Sequence, residues 1–397
     1  MKYNSVKEEL SPRRQTMKFI HTSDWHLGRI LHGVHLTQDQ ALVLDDFIGV
    51  LKKEKPDALI IAGDIYDRGI PPVEAVALFS RFTQTVLLDL GIPIIAMAGN
   101  HDSGERIQFG SKLLSETKLH IIGKSKQGYE KITLQDEHGP VEFYVIPYAD
   151  PAEIRILYKM DHIMSHNDSM ASIVDKILEE NIGERSVAIA HAYVQGGNIS
   201  SDSERPLSIG GTDMVSADHF KHFNYTALGH LHAPQRVGEE YIRYSGSLMK
   251  YSSSEATQRK CVYMVEIDEQ GKVTHEEIFI KPPRDLRKVK GLLNDILATG
   301  RQDENPDDYI VAIVEDEGAL LDTMGKIRSV YPNAIEIERP FLKKQRDYQE
   351  ENRGYTNHNK MSIGALFTDF YTNVTGEEFN KEYQEVFQAI TKGIERE

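Results

Sequence analysis

Cysteine is nearly absent from this chain of 397 residues: Cys261 stands alone. One thiol cannot close an internal disulfide, so a stapled secreted scaffold is excluded and a reducing compartment fits best. Long apolar runs are missing too. The longest, Ala58–Ala62 and Ile92–Ala98, have the length of buried strands, far short of the about 20 residues that span a bilayer. The first residues carry no apolar core of the kind a signal peptide needs. Together these absences predict a cytoplasmic protein. Positive charge is in deficit, with 46 Lys and Arg against 61 Asp and Glu, a net charge of −15. A chain of that sign does not coat nucleic acid by bulk charge. A local site with bound divalent metals can still hold a phosphate on an acidic protein. The remainder is 40% apolar and 27% charged, enough for a sizeable core, and the length suits two or three domains.

Residues 1–16 read as a polar extension, and Met17 opens a strand through Thr22. Thr37-x-x-Gln40 has the spacing of a capping box, followed by helical periodicity through Ala41, Leu44, Phe47, Ile48 and Leu51. Ala58–Ala62 is a continuous apolar run, expected of a strand covered on both faces. Pro71-Pro72 begins a helix carrying Val76, Phe79 and Val86, and Ile92–Ala98 is the next buried strand. This alternation is an α/β signature. Shorter strands are expected at Lys131–Leu134, Val141–Ile146, Ser186–Ala190, Tyr225–Leu228, Tyr241–Tyr244 and Cys261–Ile267, with a helix near Met170–Leu178. Lys281-Pro282-Pro283 marks a boundary. Beyond it the pattern predicts a helix over Leu286–Leu297, a strand over Tyr309–Val314, a helix over Leu320–Val330 and a strand over Ala334–Ile337. Residues 343–360 read as a linker. Two amphipathic helices, Ser362–Tyr371 and Glu377–Ile394, follow, with apolar faces that need a partner surface. The fold class is therefore α/β: a layered sandwich of mixed sheets flanked by helices over residues 17–280, a small α+β unit over 281–342, and terminal helices over 361–397.

Five short motifs carry the chemistry: Asp24-Trp25-His26, Gly63-Asp64-Ile65-Tyr66-Asp67, Gly99-Asn100-His101-Asp102, Ala190-His191 and Gly229-His230-Leu231-His232. Each follows an expected strand, and ligands of open α/β sheets bind at the carboxyl ends of strands. Any one of them alone is explained by a turn or a helix cap. All five in order are not. Asp24 and His26 can bind one metal together with His232, Asp64 can bridge, and Asn100, His191 and His230 can complete a second site. Imidazole with carboxylate suits Mn, Fe or Zn. Two such ions about 3.5–4 Å apart can activate water and clamp an attacked phosphate. His101 is better placed outside the metal shell, where it can protonate the leaving oxygen or stabilise charge on the phosphate. Asp67 or Asp102 can orient its ring, and spacing does not choose between them. Arg29, Arg68, Arg106, Arg205 and Lys250 neighbour the motifs and are candidate phosphate contacts. Trp25 either packs under the site or stacks on a base.

These ordered motifs resemble the calcineurin-type metallophosphoesterases. More narrowly, Phe19–Gly28, Ser201–Gly211, Gly229–Gln235 and Tyr244–Ser252 are similar to the SbcD-type nuclease subunits of bacteria. Leu248 and Ser253 depart from that pattern, beyond the ligands. The resemblance implies a nuclease dependent on two divalent ions, Mn²⁺ first with Fe or Mg as alternatives. It would act on DNA ends and hairpins as a 3′-to-5′ double-strand exonuclease and single-strand endonuclease. It also implies a capping domain, a homodimer, and terminal helices that grip an SbcC-type coiled-coil ATPase in DNA repair and recombination. The same resemblance assigns Asp24, His26, Asp64, Asn100, His191, His230 and His232 as ligands and His101 as the catalytic histidine. The apolar segments Phe79–Leu88 and Leu113–Leu119 are candidates for the dimer surface. Fold and metals do not set the substrate, so a phosphatase or small-nucleotide phosphodiesterase is the competing function. A non-catalytic scaffold would be expected to have lost ligands.

Overall fold

The structure is a computed structural model, and it describes residues 16–200, 213–341, 363–381, 383–384 and 386–387. Arg205 and the expected linker lie outside the described residues, as do most of the N-terminal extension and the far end of the second terminal helix. The chain divides into two units, with the boundary between Asp285 and Leu286.

The first unit is built on two six-stranded sheets. One runs, edge to edge, Val273–Phe279, Cys261–Ile267, Met17–Thr22, Ala58–Ile61, Ile94–Met97 and Leu119–Ile122. The last four are mutually parallel, and Cys261–Ile267 pairs antiparallel with Met17–Thr22 on one side and Val273–Phe279 on the other. The other sheet runs Gln235–Val237, Glu239–Tyr244, Tyr225–Gly229, Ser186–His191, Gly139–Ile146 and Glu130–Asp136. Its four central strands are parallel, and both edges are antiparallel. Parallel strands buried on both faces read as unbroken apolar runs, which is why Ala58–Ile61 and Ile94–Met97 are legible in the sequence.

The sheets pack face to face. Phe19, Ile60, Ile95 and Val265 of the first share a buried cluster with Phe143, Val187, Ile189 and Tyr225 of the second. The outer face of the second sheet is covered by the helix His166–Glu179, whose Met170, Ile173, Val174 and Ile177 join Ala188, Leu228 and Tyr244. Helices Thr37–Glu54 and Val73–Gln84 flank the other side, where Trp25 sits edge-on to Phe47, Phe79 and Phe82. Trp25 is buried and donates its indole N–H to Thr22 Oγ1 at 2.9 Å, so it packs under the loop and is not a base-stacking ring. The expected capping box at Thr37 does not form: Leu36 is the N-cap and makes no side-chain bond. Gln40 has a different task, described below. Of the expected dimer segments, Phe79, Phe82 and Val86 are core, while Leu88 and Leu113 are exposed, as are Val73 and Phe109.

The second unit holds a three-stranded parallel sheet, Leu286–Gly291, Tyr309–Val314 and Ala334–Glu338. Its core joins Ile310, Ala312 and Val314 to Leu293 and Ile296 of one helix and Ile327 of another. The expected helix over Leu286–Leu297 is corrected: Leu286–Gly291 is a strand, and the helix is Leu293–Gly300. The leucine spacing imitates a helical face, but a parallel partner at Tyr309–Val314 claims the first six residues. Tertiary pairing outweighs a local pattern of this strength. The expected helix over Leu320–Val330 shortens to Thr323–Arg328 because Asp322 caps it through Gly325 N. Ile363–Thr375 is helical, and its Phe367 and Tyr371 rings meet Phe379, Tyr383 and Phe387. Among the described residues, no helix is long and apolar enough to cross a membrane.

Candidate metal centre

The five motifs occupy the ends of five strands: Met17–Thr22, Ala58–Ile61 and Ile94–Met97 of one sheet, Ser186–His191 and Tyr225–Gly229 of the other. The loops after the first two strands are zipped together by Asp24 N to Gly63 O, His26 N to Asp64 O and Leu27 N to Ile65 O. Asp24, His26, Asp64 and His230 all take positive φ, at 53°, 45°, 50° and 108°. Non-glycine residues rarely hold that conformation, and such strain gathers where side chains must be re-aimed for function. The backbone also leaves no room for a side chain at two points, one between the sheets and one between neighbouring strand ends of the first sheet. A Cβ on Gly229 would lie 1.9 Å from Ala62 O, and one on Gly99 would lie 2.2 Å from Asp64 Oδ1.

Asp24, His26 and His232 bring ligand atoms within 4.8 Å of one another, as do Asp24, Asp64 and His191, and also His26, Asp64 and His101. Asp64 Oδ2 lies 3.6 Å from His26 Nε2 and 3.4 Å from His191 Nε2, between the two groups. Asn100 Oδ1 faces His191 Nε2 at 2.9 Å and His230 Nδ1 at 3.3 Å. Asp24 reaches the other sheet by accepting the His230 N–H at 3.0 Å.

The donor set fits divalent cations. Nδ1 of His191 lies 2.9 Å from the Ala62 carbonyl oxygen, which can only accept, so this nitrogen carries the hydrogen. A neutral His191 then turns the lone pair of Nε2 toward the amide oxygen of Asn100, another acceptor. A cation between them satisfies both. Without one the ring keeps a proton: burial opposes this, but the Asp64 carboxylate overcomes it and raises His191 to about 9. Burial also raises Asp24, to about 6. Burial would raise Asp64 as well, yet the surrounding histidines, His191 first, hold it well below the usual carboxylate range.

His101 is oriented by the main chain. Its Nδ1 lies 2.8 Å from the carbonyl oxygen of Asp67. The Asp67 carboxylate instead takes Arg29 Nη1 at 2.7 Å. The Asp102 carboxylate accepts the backbone N–H groups of Ile65, Tyr66 and Gly99, tying two motif loops together. Burial and the Asp64 charge raise Asp102 to about 7. Asp67 thus acts on His101 through its backbone, and Asp102 holds the loops. The expected carboxylate contact to the ring is replaced because both acids are already engaged.

The phosphate candidates separate. Arg68 and Arg106 are exposed. Arg29 is half-buried on Asp67 and over the Tyr251 ring, forming part of the site wall. Lys250 is engaged with Ala256 O at 2.7 Å and Asp285 Oδ1 at 2.8 Å, which anchors a chain segment and does not present a cation to solvent.

Gln40 is the contact that motif reading missed. Its amide nitrogen shares its two hydrogens among the carbonyl oxygens of Trp25 and His26 and the Tyr251 hydroxyl, all within 3.2 Å, and its oxygen accepts the Gly28 N–H at 3.0 Å. One buried side chain therefore clamps the Asp24–Gly28 loop. Gln40→Leu should cost about 1–3 kcal/mol of stability, because it leaves buried backbone groups unpaired. It should also weaken metal binding. Denaturant unfolding and metal titration of the variant check both; unchanged values would deny Gln40 this clamp.

A sandwich of two mixed sheets with Asp, His and Asn at their strand ends defines a metallophosphoesterase, and the profile for calcineurin-like phosphoesterase matches residues 17–234. That for the type 5 capsule protein repressor C-terminal domain matches residues 282–375. The chain belongs to the calcineurin-like phosphoesterases and, within them, to the SbcD-type nuclease subunits. The SbcD nuclease of the SbcCD complex of Staphylococcus saprophyticus is 33% identical over 381 residues, 95% of this chain and 98% of the relative. Solved structures of a Thermus thermophilus protein and of a dimetal phosphatase from Danio rerio align at TM-scores of 0.38 and 0.37. Their identities are 11% and 13%, and each alignment covers 66% of this chain and 99% of the other.

Proposed function

We propose that the chain is the nuclease subunit of an SbcCD-type complex, hydrolysing phosphodiester bonds at DNA ends and hairpins with two divalent ions, Mn²⁺ foremost. The observation that carries this reading is the convergence of Asp24, His26, Asp64, Asn100, His191, His230 and His232 on one cluster, with His101 beside it. When bound, the ions act as Lewis acids on the phosphate and activate water for in-line attack. Asp24, His26 and His232 would hold one, Asn100, His191 and His230 would hold the other, and Asp64 would serve both. His101 donates from Nδ1 to Asp67 O, which fixes the ring beside the cluster. From there it protonates the leaving oxygen or stabilises charge on the phosphate.

The experiment compares labelled linear duplex DNA with a chromogenic phosphomonoester under Mn²⁺ or Mg²⁺. Metal-dependent DNA cleavage supports the reading. Phosphomonoester turnover without DNA cleavage, even with the ATPase partner present, moves the function to a phosphatase.

The reading includes a homodimer, for which exposed Val73, Leu88, Phe109 and Leu113 offer apolar surface. It also includes an SbcC-type coiled-coil ATPase, action in the cytoplasm on nucleoid DNA, and a nuclease domain over 17–280 with a capping domain over 281–342. At −15, the chain needs its metals, exposed arginines such as Arg68 and Arg106, a second protomer or the ATPase to hold duplex DNA. Deleting residues 362–397 should spare simple nuclease chemistry and weaken co-purification with the ATPase; unchanged co-purification would refute that role for the terminal helices.

A further inference from the structure

We infer that Glu255 is a positioning residue, which with Lys260 as its counter-charge locks His232 in the tautomer and orientation a metal requires. The inference rests on the reading of His232 as a ligand.

Glu255 ends a short turn, Ser253–Glu255, and is completely buried. Its Oε1 lies 3.1 Å from Nδ1 of His232. Its Oε2 pairs with the buried ammonium of Lys260. The same ammonium lies 2.8 Å from the His232 carbonyl oxygen, 2.9 Å from Ser247 Oγ and 2.7 Å from Gln258 Oε1, so its three hydrogens are shared among these acceptors and Glu255. A carboxylate without a partner would not be stable at this depth; a neighbouring ammonium lets it remain one.

The consequence for His232 follows from donor and acceptor chemistry. A carboxylate only accepts, so Nδ1 of His232 carries the hydrogen. In its neutral form the ring then presents an unprotonated Nε2. That nitrogen lies 3.0 Å from Nε2 of His26, inside the group that includes Asp24. Lys260 grips the peptide oxygen of His232 and the acid behind its ring, so backbone and imidazole are held by one cation. Partners behind a metal-bound histidine set its tautomer and basicity, and losing one costs about 10- to 100-fold in metal affinity. Glu255 lies 23 residues beyond His232 and belongs to no motif.

The test is Mn²⁺ titration of the purified full chain by calorimetry and electron paramagnetic resonance. Glu255→Gln, and Glu255→Gln combined with Lys260→Met, are compared with wild type. Both variants should keep one ion at wild-type affinity and bind the other about 10- to 100-fold more weakly. Wild-type affinity for both ions in either variant would overturn the inference. Absence of Mn²⁺ binding by the wild type would instead overturn the ligand reading beneath it. Should both variants misfold, nitrogen-15 histidine spectra of the Zn²⁺-loaded wild type decide: hydrogen on Nδ1 of His232 supports the lock, and hydrogen on Nε2 refutes it.

Discussion

His101→Ala is expected to lower DNA cleavage by about 10²- to 10⁴-fold, the usual worth of a general acid, while both metals remain bound. The separation of the two effects follows from how the residue is held. Its backbone N–H donates to Asp64 Oδ1 at 2.9 Å, and an alanine keeps that bond. Asp64 therefore stays in place when the ring is removed. What disappears is the imidazole edge-on to His26, with ring centroids 4.7 Å apart, and the nitrogen that Asp67 O has aimed. Cleavage assays and metal analysis on the same preparation check this. Loss of metal along with activity would make His101 a ligand, a role its group with His26 and Asp64 also permits.

Asp64→Ala should do more, because this carboxylate serves both halves of the cluster. Oδ2 faces His26 and His191, and Oδ1 anchors the His101 peptide. Removing it takes an anion from the middle of four buried imidazoles, those of His26, His101, His191 and His230, and frees the loop that carries Asn100 and His101. Metal affinity should fall by more than the about 10- to 100-fold that loss of an outer partner costs, with cleavage abolished. Asp64→Asn, which preserves shape and keeps an oxygen for the His101 N–H, should lose metal with less damage to the fold. Full occupancy by two ions in either variant would remove Asp64 from the bridging position.

The candidate ligands were legible because each sits at a strand end whose apolar run is itself unambiguous. Parallel strands such as Ala58–Ile61 announce both the fold and the place where the next polar residue emerges. What supports the ligands was not legible. Gln40 lies in a helix and has capping-box spacing, yet its amide reaches back to the Trp25 and His26 carbonyls. Lys250 and Arg29 neighbour the motifs, but their charges are already met by Asp285 and Asp67. Such contacts depend on which loops meet in space, and chain spacing does not report that. The strand at Leu286–Gly291 failed to declare itself for a related reason: its alternation is short, and only its neighbour at Tyr309–Val314 makes it a strand. His101 shows the same limit on a smaller scale. The sequence offered two carboxylates to orient it, and the structure uses a carbonyl oxygen.

The measurement closest to the central claim is the number of Mn²⁺ ions bound by the purified full chain at saturation, read by calorimetry and elemental analysis. Two ions per chain, falling when Asp64 is replaced and unchanged when His101 is replaced by alanine, is the result expected. One ion or none at saturation would contradict a dinuclear phosphoesterase site.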